Sequence, residues 1–151
     1  MINNRGGVWV VIQFLLFLAI LFSPQIKPLS IPLIARYIGL FTVAVGLSLT
    51  FFGIIHLGKS GTPFPKPRAG ANLITSGLYK FVRHPTYASV VLAALGWSIW
   101  RSNALSLFFS VLLFILFEFK SRLEEKWLLE VFPEYDNYRK KVRCKFIPGA
   151  Y

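Results

Sequence analysis

Two short stretches of this 151-residue chain carry the residue types from which a reaction could be built. The first is Arg83-His84-Pro85-Thr86-Tyr87, which sets a cation, an imidazole and a phenol close together. Pro85 suits the first turn of a helix, because its ring fixes φ and its missing N–H is one the helix start leaves unbonded anyway. Arg83 and His84 then stand at a helix amino terminus, where free amide donors and the helix dipole favour an anion. The second stretch is Glu124-Glu125. Neighbouring residues on a helix point about 100° apart, so two adjacent carboxylates do not converge on one point by direction alone; one can face a site while the other supports it.

Each stretch also has a plain structural explanation. Along a membrane interface Arg and Lys reach phosphates and Tyr settles at headgroup level, which would account for the first. Lys120 with Glu124, Glu118 with Arg122, and Arg122 with Glu125 stand three or four residues apart. The second stretch then reduces to surface pairs of about 0.2 to 0.5 kcal/mol each, and spacing alone favours that reading. One cysteine (Cys144) and two histidines (His56, His84) are too few for a multi-cysteine zinc site or a histidine-built centre, so no metal is expected.

The elements that must position these residues are apolar. The chain is 55% hydrophobic and 15% charged, where a soluble domain carries about 25% charged residues, so the surplus apolar surface faces lipid. The pattern predicts an all-α integral membrane protein of one domain over 1–151, with about four spans at 7–23, 31–57, 86–100 and 104–119. The first, Val8 to Phe22 broken only by Gln13, is short for a span and reads as an uncleaved anchor. The second carries Gly39, Gly46 and Gly53 at every seventh position, a spacing that lets a neighbouring helix approach, although glycine is also simply common in membrane helices. The prolines 63, 65 and 67 predict an extended, structured loop. Arg101-Ser102-Asn103 is so short a connection that the third and fourth spans form an antiparallel helical hairpin. From Lys120 an amphipathic helix, with Leu123, Trp127, Leu128, Val131 and Phe132 on one side, leaves the membrane and ends at Pro133, opening a cytosolic tail over 120–151.

Charge gives the orientation. Every acid lies at or beyond Glu118, and of the 17 Lys and Arg all but Lys27, Arg36 and Arg101 fall in the amino terminus, the middle loop and the carboxyl tail. The positive-inside rule makes that face cytoplasmic, so the chain is multi-pass with both termini in the cytoplasm. Bases set between apolar runs point to anionic membrane lipid as the partner and away from nucleic acid.

Taken in order, Arg83-His84-Pro85-Thr86-Tyr87, Glu124-Glu125, Phe132-Pro133-Glu134-Tyr135-Asp136-Asn137-Tyr138 and Phe146-Ile147-Pro148-Gly149 resemble the signature of the isoprenylcysteine carboxyl methyltransferase family. That family is related to the phospholipid methyltransferases. The resemblance covers Gly58 to the end, and the long second span fits it. It implies a multi-span helical enzyme whose cytosolic pocket binds S-adenosylmethionine, with His84, Pro85, Tyr87, Glu124 and Glu125 around that cofactor. The substrate it implies is a lipophilic small molecule or a prenylated peptide. One position departs: where the family's motif continues with glycine this chain has Ser89, which puts a close backbone approach to the cofactor there in question.

Methyl transfer from a sulfonium needs alignment and exclusion of water, and neither a covalent nucleophile nor a metal. A carboxylate acceptor is already ionised near neutral pH and could be held by Arg83 or Arg143, the two residues expected to act on it. An amine acceptor must first lose a proton, for which Glu124, Glu125 or His84 are the candidates. Carboxyl O-methylation of an isoprenylcysteine-like substrate is the leading expectation. A phospholipid or small-amine N-methyltransferase and a non-catalytic membrane scaffold are the alternatives. The basic run from Arg139 to Lys145 either lies on anionic lipid or folds back to close the pocket.

Overall fold

The computed structural model describes residues 6–26, 28–67 and 70–149; Arg5, Lys27 and Arg68, counted in the charge balance, lie outside these. The described residues form five helices: α1 (Gly7–Phe22), α2 (Leu33–Leu57), α3 (Pro85–Trp100), α4 (Ala104–Val131) and α5 (Tyr135–Lys141). Short 3-10 turns occupy Gly58–Ser60 and Gly77–Lys80, and no strand occurs among the described residues.

Local chemistry sets most boundaries. α3 begins at Pro85, as its ring geometry predicts. The α3–α4 hairpin turns on Asn103, whose Oδ1 accepts from the amides of Leu105 (3.0 Å) and Ser106 (3.2 Å). Its Nδ2 donates to the Ser23 carbonyl at 3.1 Å, so one residue caps α4 and fastens the end of α1. The amphipathic segment expected from Lys120 is no separate element but the continuation of α4, a single helix of 28 residues. Nothing from Ala104 to Val131 is glycine or proline, so nothing interrupts its backbone bonds until Phe132 and Pro133.

α2 and α4 are each long and apolar enough to cross a membrane. α1 and α3 have 16 residues each, about 24 Å of helix. Outward-facing Leu33, Phe41, Phe51, Phe52, Ile54 and Ile55 are all exposed, a continuous apolar surface whose natural solvent is lipid.

The heptad glycines have a definite job. Gly39, Gly46 and Gly53 are the buried residues of α2. A Cβ at Gly46 would stand 2.7 Å from both the Ala93 amide nitrogen and the Ser89 carbonyl oxygen, and one at Gly53 2.6 Å from Thr86 Cγ2. Gly96 of α3 returns the contact, its own Cβ position lying 2.6 Å from the Gly39 carbonyl. α2 and α3 therefore meet backbone to backbone, gaining dispersion contact where no hydrophobic force operates between helices in lipid. Thr50 Oγ1 and Ser89 Oγ share a hydrogen bond of 2.8 Å across this seam. Ser98, Ser106 and Ser110 form a buried hydroxyl cluster between α3 and α4, with Ser106 donating to the Ile20 carbonyl of α1.

The bundle has two unlike ends. At one, Arg36 donates to the Trp100 carbonyl (3.0 Å) and Arg101 to the Leu21 carbonyl (2.7 Å), so those two bases cap helix carboxyl ends. At the other, the carboxyl end of α2, the amino end of α3, the outer half of α4 and the tail converge. Gly46→Ala is expected to destabilise the protein by about 1 to 3 kcal/mol, because the added methyl meets backbone that cannot turn away. Thermal melting in detergent checks this, with Ser48→Ala on the exposed face of α2 unchanged.

Candidate active site

The residues at the amino end of α3 are held by the carboxyl tail. The amides of Arg83 and His84 donate to the carbonyls of Cys144 and Lys145, both at 3.0 Å, so the tail folds back along the entry to the helix. Lys145 is buried and its Nζ donates to Glu118 Oε1 at 3.0 Å, while Phe146 enters the core. On the other flank Tyr138 of α5 donates to the Tyr79 carbonyl at 2.7 Å.

Against this frame α4 brings its two carboxylates. Arg83 Nε donates to Glu125 Oε1 at 2.8 Å, and Arg83 Nη1 donates to the carbonyls of Val142 and Arg143. His84 Nε2 lies 3.0 Å from the same Glu125 oxygen; an ionised carboxylate only accepts, so the imidazole donates. Glu124 turns the other way, accepting from Tyr87 Oη at 2.8 Å, with its Oε2 3.8 Å from His84 Nδ1. The pair is thus divided as helix geometry requires, yet both carboxylates address His84, one at each ring nitrogen. Of the predicted surface pairs, Arg122 with Glu118 forms, at 2.6 Å.

The His84 and Tyr87 rings lie parallel at 5.5 Å, and Tyr87 stacks on Phe117 at 4.5 Å. Beneath them Lys120, only 1% exposed, points its Nζ at the Tyr87 ring (5.3 Å) and donates to Gln13 Oε1 of α1 at 2.6 Å. Burial raises the Glu125 carboxyl, but the hydrogen bonds and charges of His84 and Arg83 outweigh it and bring it down to about 2. The same burial pushes the Tyr138 phenol up to about 12, so it remains a hydroxyl throughout the physiological range.

A cleft opens beside this junction. Arg83, His84, Thr86, Tyr87 and Glu124 form one wall. Tyr79, Phe132, Tyr135 and Tyr138 give aromatic surface, and Ser60, Thr62 and Asn72 of the middle loop supply polar groups. Ser89 is no part of it; the close approach at that position is made by α2. A second cavity of about 340 Å³, between α3 and α4, is lined by apolar side chains including Val91, Leu92, Phe114, Phe117 and Phe146.

The family model for phospholipid methyltransferases matches residues 34–135, which include both α3 and the Glu124-Glu125 pair. The chain belongs to that family. Over 72 residues it is 40% identical to a protein-S-isoprenylcysteine O-methyltransferase of Schizosaccharomyces pombe, covering 46% of this chain and 30% of that protein. A probable protein-S-isoprenylcysteine O-methyltransferase of Oryza sativa subsp. indica is 31% identical over 110 residues, covering 70% of this chain and 58% of its own. The fold matches the structure of a eukaryotic intramembrane Ras methyltransferase, isoprenylcysteine carboxyl methyltransferase, with a TM-score of 0.69 at 23% identity over 97% of this chain and 53% of that one. The matched stretches span 30% and 58% of these two curated relatives' length. Two helices among the described residues are of spanning length, and the fold is shared with that intramembrane methyltransferase.

Set against this family's ordered signature, Arg83, His84, Tyr87 and Glu124 line the cleft, while Pro85, Glu125 and Arg143 do not. Pro85 starts the helix, Glu125 lies behind the wall on Arg83, and Arg143 gives its carbonyl to Arg83 with its own side chain exposed. The tail folds back along the entry to α3, but none of residues 139–145 lines the cleft, so the fold-back is present without the pocket closure that one sequence reading joined to it. Lys120 and Lys145 are the members sequence reasoning missed. The lone polar residue of the first apolar run, Gln13, was the available signal for Lys120; nothing marked Lys145 among its basic neighbours.

Arg83→Met is expected to cost about 3 to 5 kcal/mol, since it leaves Glu125 buried without its cation. Because Glu125 titrates lower folded (about 2) than its ordinary 4.5, its contribution is complete above pH 4.5 and is lost as pH falls toward 2. The stability difference between wild type and Glu125→Gln, followed by melting in detergent, should be constant from neutrality to about pH 4.5 and close below it.

Proposed function

We propose that this chain is one methyltransferase domain that transfers a methyl group from S-adenosylmethionine to a lipophilic acceptor. Carboxyl O-methylation of an isoprenylcysteine-like substrate is the reaction that the relatives' names favour. The observation that carries the reading is the convergence of His84, Tyr87 and Glu124 on one wall of an aromatic-lined cleft, with Glu125 behind that wall on His84 and Arg83.

The groups present fit such a cofactor. Glu124 offers a carboxylate to a cationic centre, the faces of Tyr79, Phe132 and Tyr138 suit a purine or a sulfonium, and Asn72 and the loop hydroxyls offer polar partners. When bound, S-adenosylmethionine supplies an electrophilic methyl group that is displaced in line. The chain's own residues then align the partners and exclude water. Glu124, held by Tyr87, faces the donor, and His84 is fixed between the two carboxylates. Arg83 gives its Nε and Nη1 donors to Glu125 and two carbonyls, so we assign it to holding the wall, and we give the acceptor carboxylate to Arg143, exposed beside it. The apolar cavity between α3 and α4 would take the acceptor's hydrocarbon part.

α1 to α4 are read as four crossings, with both termini and the cleft on the cytoplasmic side. The support is the gathering of the basic segments at the cleft end of the bundle, while Arg36 and Arg101 sit at the other. An amine acceptor is the second reading, favoured by the family's phospholipid members and by Glu124, a carboxylate that lines the cleft and could take a proton. A methyl ester is labile to mild base and an N-methyl group is not, so product analysis separates them.

Calorimetry on detergent-purified protein tests the proposal directly. Saturable S-adenosylmethionine binding is expected, weakened at least tenfold in the Glu124→Gln, Glu125→Gln double variant, about 1.4 kcal/mol or more. A well-folded wild type that binds none would overturn it in favour of a non-catalytic membrane protein.

A further inference from the structure

Tyr135 and Tyr138 stand one turn apart on α5, their ring centroids 5.7 Å apart, and both line the cleft. Their hydroxyls are treated differently. Tyr138 Oη donates to the Tyr79 carbonyl, whereas Tyr135 Oη is buried and has no hydrogen-bond partner among the described residues. The Tyr135 side chain is only 1% exposed, packed with Phe132, Tyr138 and Val142. A buried hydroxyl without a partner is a standing cost to the fold. Phenylalanine would fill the same space, stack the same way and carry no such cost, so neither packing nor stacking accounts for the oxygen. Burial, with the Glu125 charge next in weight, pushes the phenol above its ordinary range, so it stays an O–H donor at any working pH.

Building on the function proposed above, we infer that Tyr135 Oη is a ligand contact of the cleft, donating its hydrogen bond to an acceptor atom of bound S-adenosylmethionine, while Tyr138 Oη serves the fold. The inference turns on a difference between two neighbouring tyrosines, and their single-oxygen deletions should move opposite properties. In Tyr135→Phe the ligand-free protein loses only an unsatisfied group, so its melting temperature in detergent stays level or rises. Its affinity for S-adenosylmethionine falls about tenfold, the worth of one hydrogen bond lost to a group left without a partner. In Tyr138→Phe the Tyr79 carbonyl loses its donor and the ligand-free melting temperature falls.

The experiment is melting of the three ligand-free proteins, followed by calorimetric titration of each with S-adenosylmethionine. Wild-type affinity in Tyr135→Phe, with the wild type itself binding saturably, overturns this inference alone and leaves the proposed function standing. A Tyr135→Phe protein that melts as low as Tyr138→Phe overturns it as well, because a hydroxyl without a protein partner has no folding contribution to lose. A wild type that binds no S-adenosylmethionine removes the proposed function and this contact together.

Discussion

The contact on which the rest of the site depends is the meeting of Arg83 and His84 on one oxygen of Glu125. Arg83 Nε and His84 Nε2 approach Glu125 Oε1 from the amino end of α3, and Arg83 Nη1 donates to the carbonyls of Val142 and Arg143. Three separate parts of the chain are thereby tied: the middle loop where it enters α3, the outer half of α4, and the tail. None could hold its position alone. The loop is irregular, α4 extends past the other helices, and the tail has only the seven residues of α5 as regular structure. With the carboxylate ionised down to about pH 2, the tie is intact at any physiological pH.

A second constraint lies deeper. α2 and α3 approach until only glycine fits between them, which fixes where Pro85 and the start of α3 stand relative to the end of α2 and the loop that follows. Lys120 extends the constraint to α1. An ammonium buried this far is costly, and here it is met by the Gln13 carbonyl oxygen and the faces of Tyr87 and Phe117. Truncating either partner would leave a polar group stranded under the ring that holds Glu124. The site rests on the packing of the whole bundle as well as on its own hydrogen bonds.

The division of labour between the two glutamates follows from these ties. Because Glu125 is consumed by Arg83 and His84, its neighbour, about 100° around the helix, is the carboxylate left on the cleft. On the proposed reading this explains how adjacent like charges coexist: one is neutralised inside the protein and the other is kept for a cationic ligand. Tyr135 and Tyr138 show the same partition in neutral groups, one hydroxyl spent on the fold and one without a partner among the described residues.

The sequence by itself determined the apolar helical segments and the Arg83, His84, Tyr87, Glu124 and Glu125 side chains of the junction. Apolar runs of spanning length, a proline at the start of α3, and a short connection before Asn103 are local or one-dimensional signals, and physics acts on them locally. Ordered motifs placed the chain in its family because residue identity and order survive without coordinates. Only the tertiary structure decided which groups face the cleft and which hold it open. It showed that α4 runs on without a break to Val131, that Ser89 meets α2 away from the cleft, that Arg83 is tied to Glu125 and to the tail's carbonyls, and that Lys120 is buried under Tyr87. Each of these depends on contacts between residues far apart in the chain. A guanidinium or an ammonium has the same formula whether it meets solvent, lipid or a buried carboxylate, and its partner is chosen only when the helices pack.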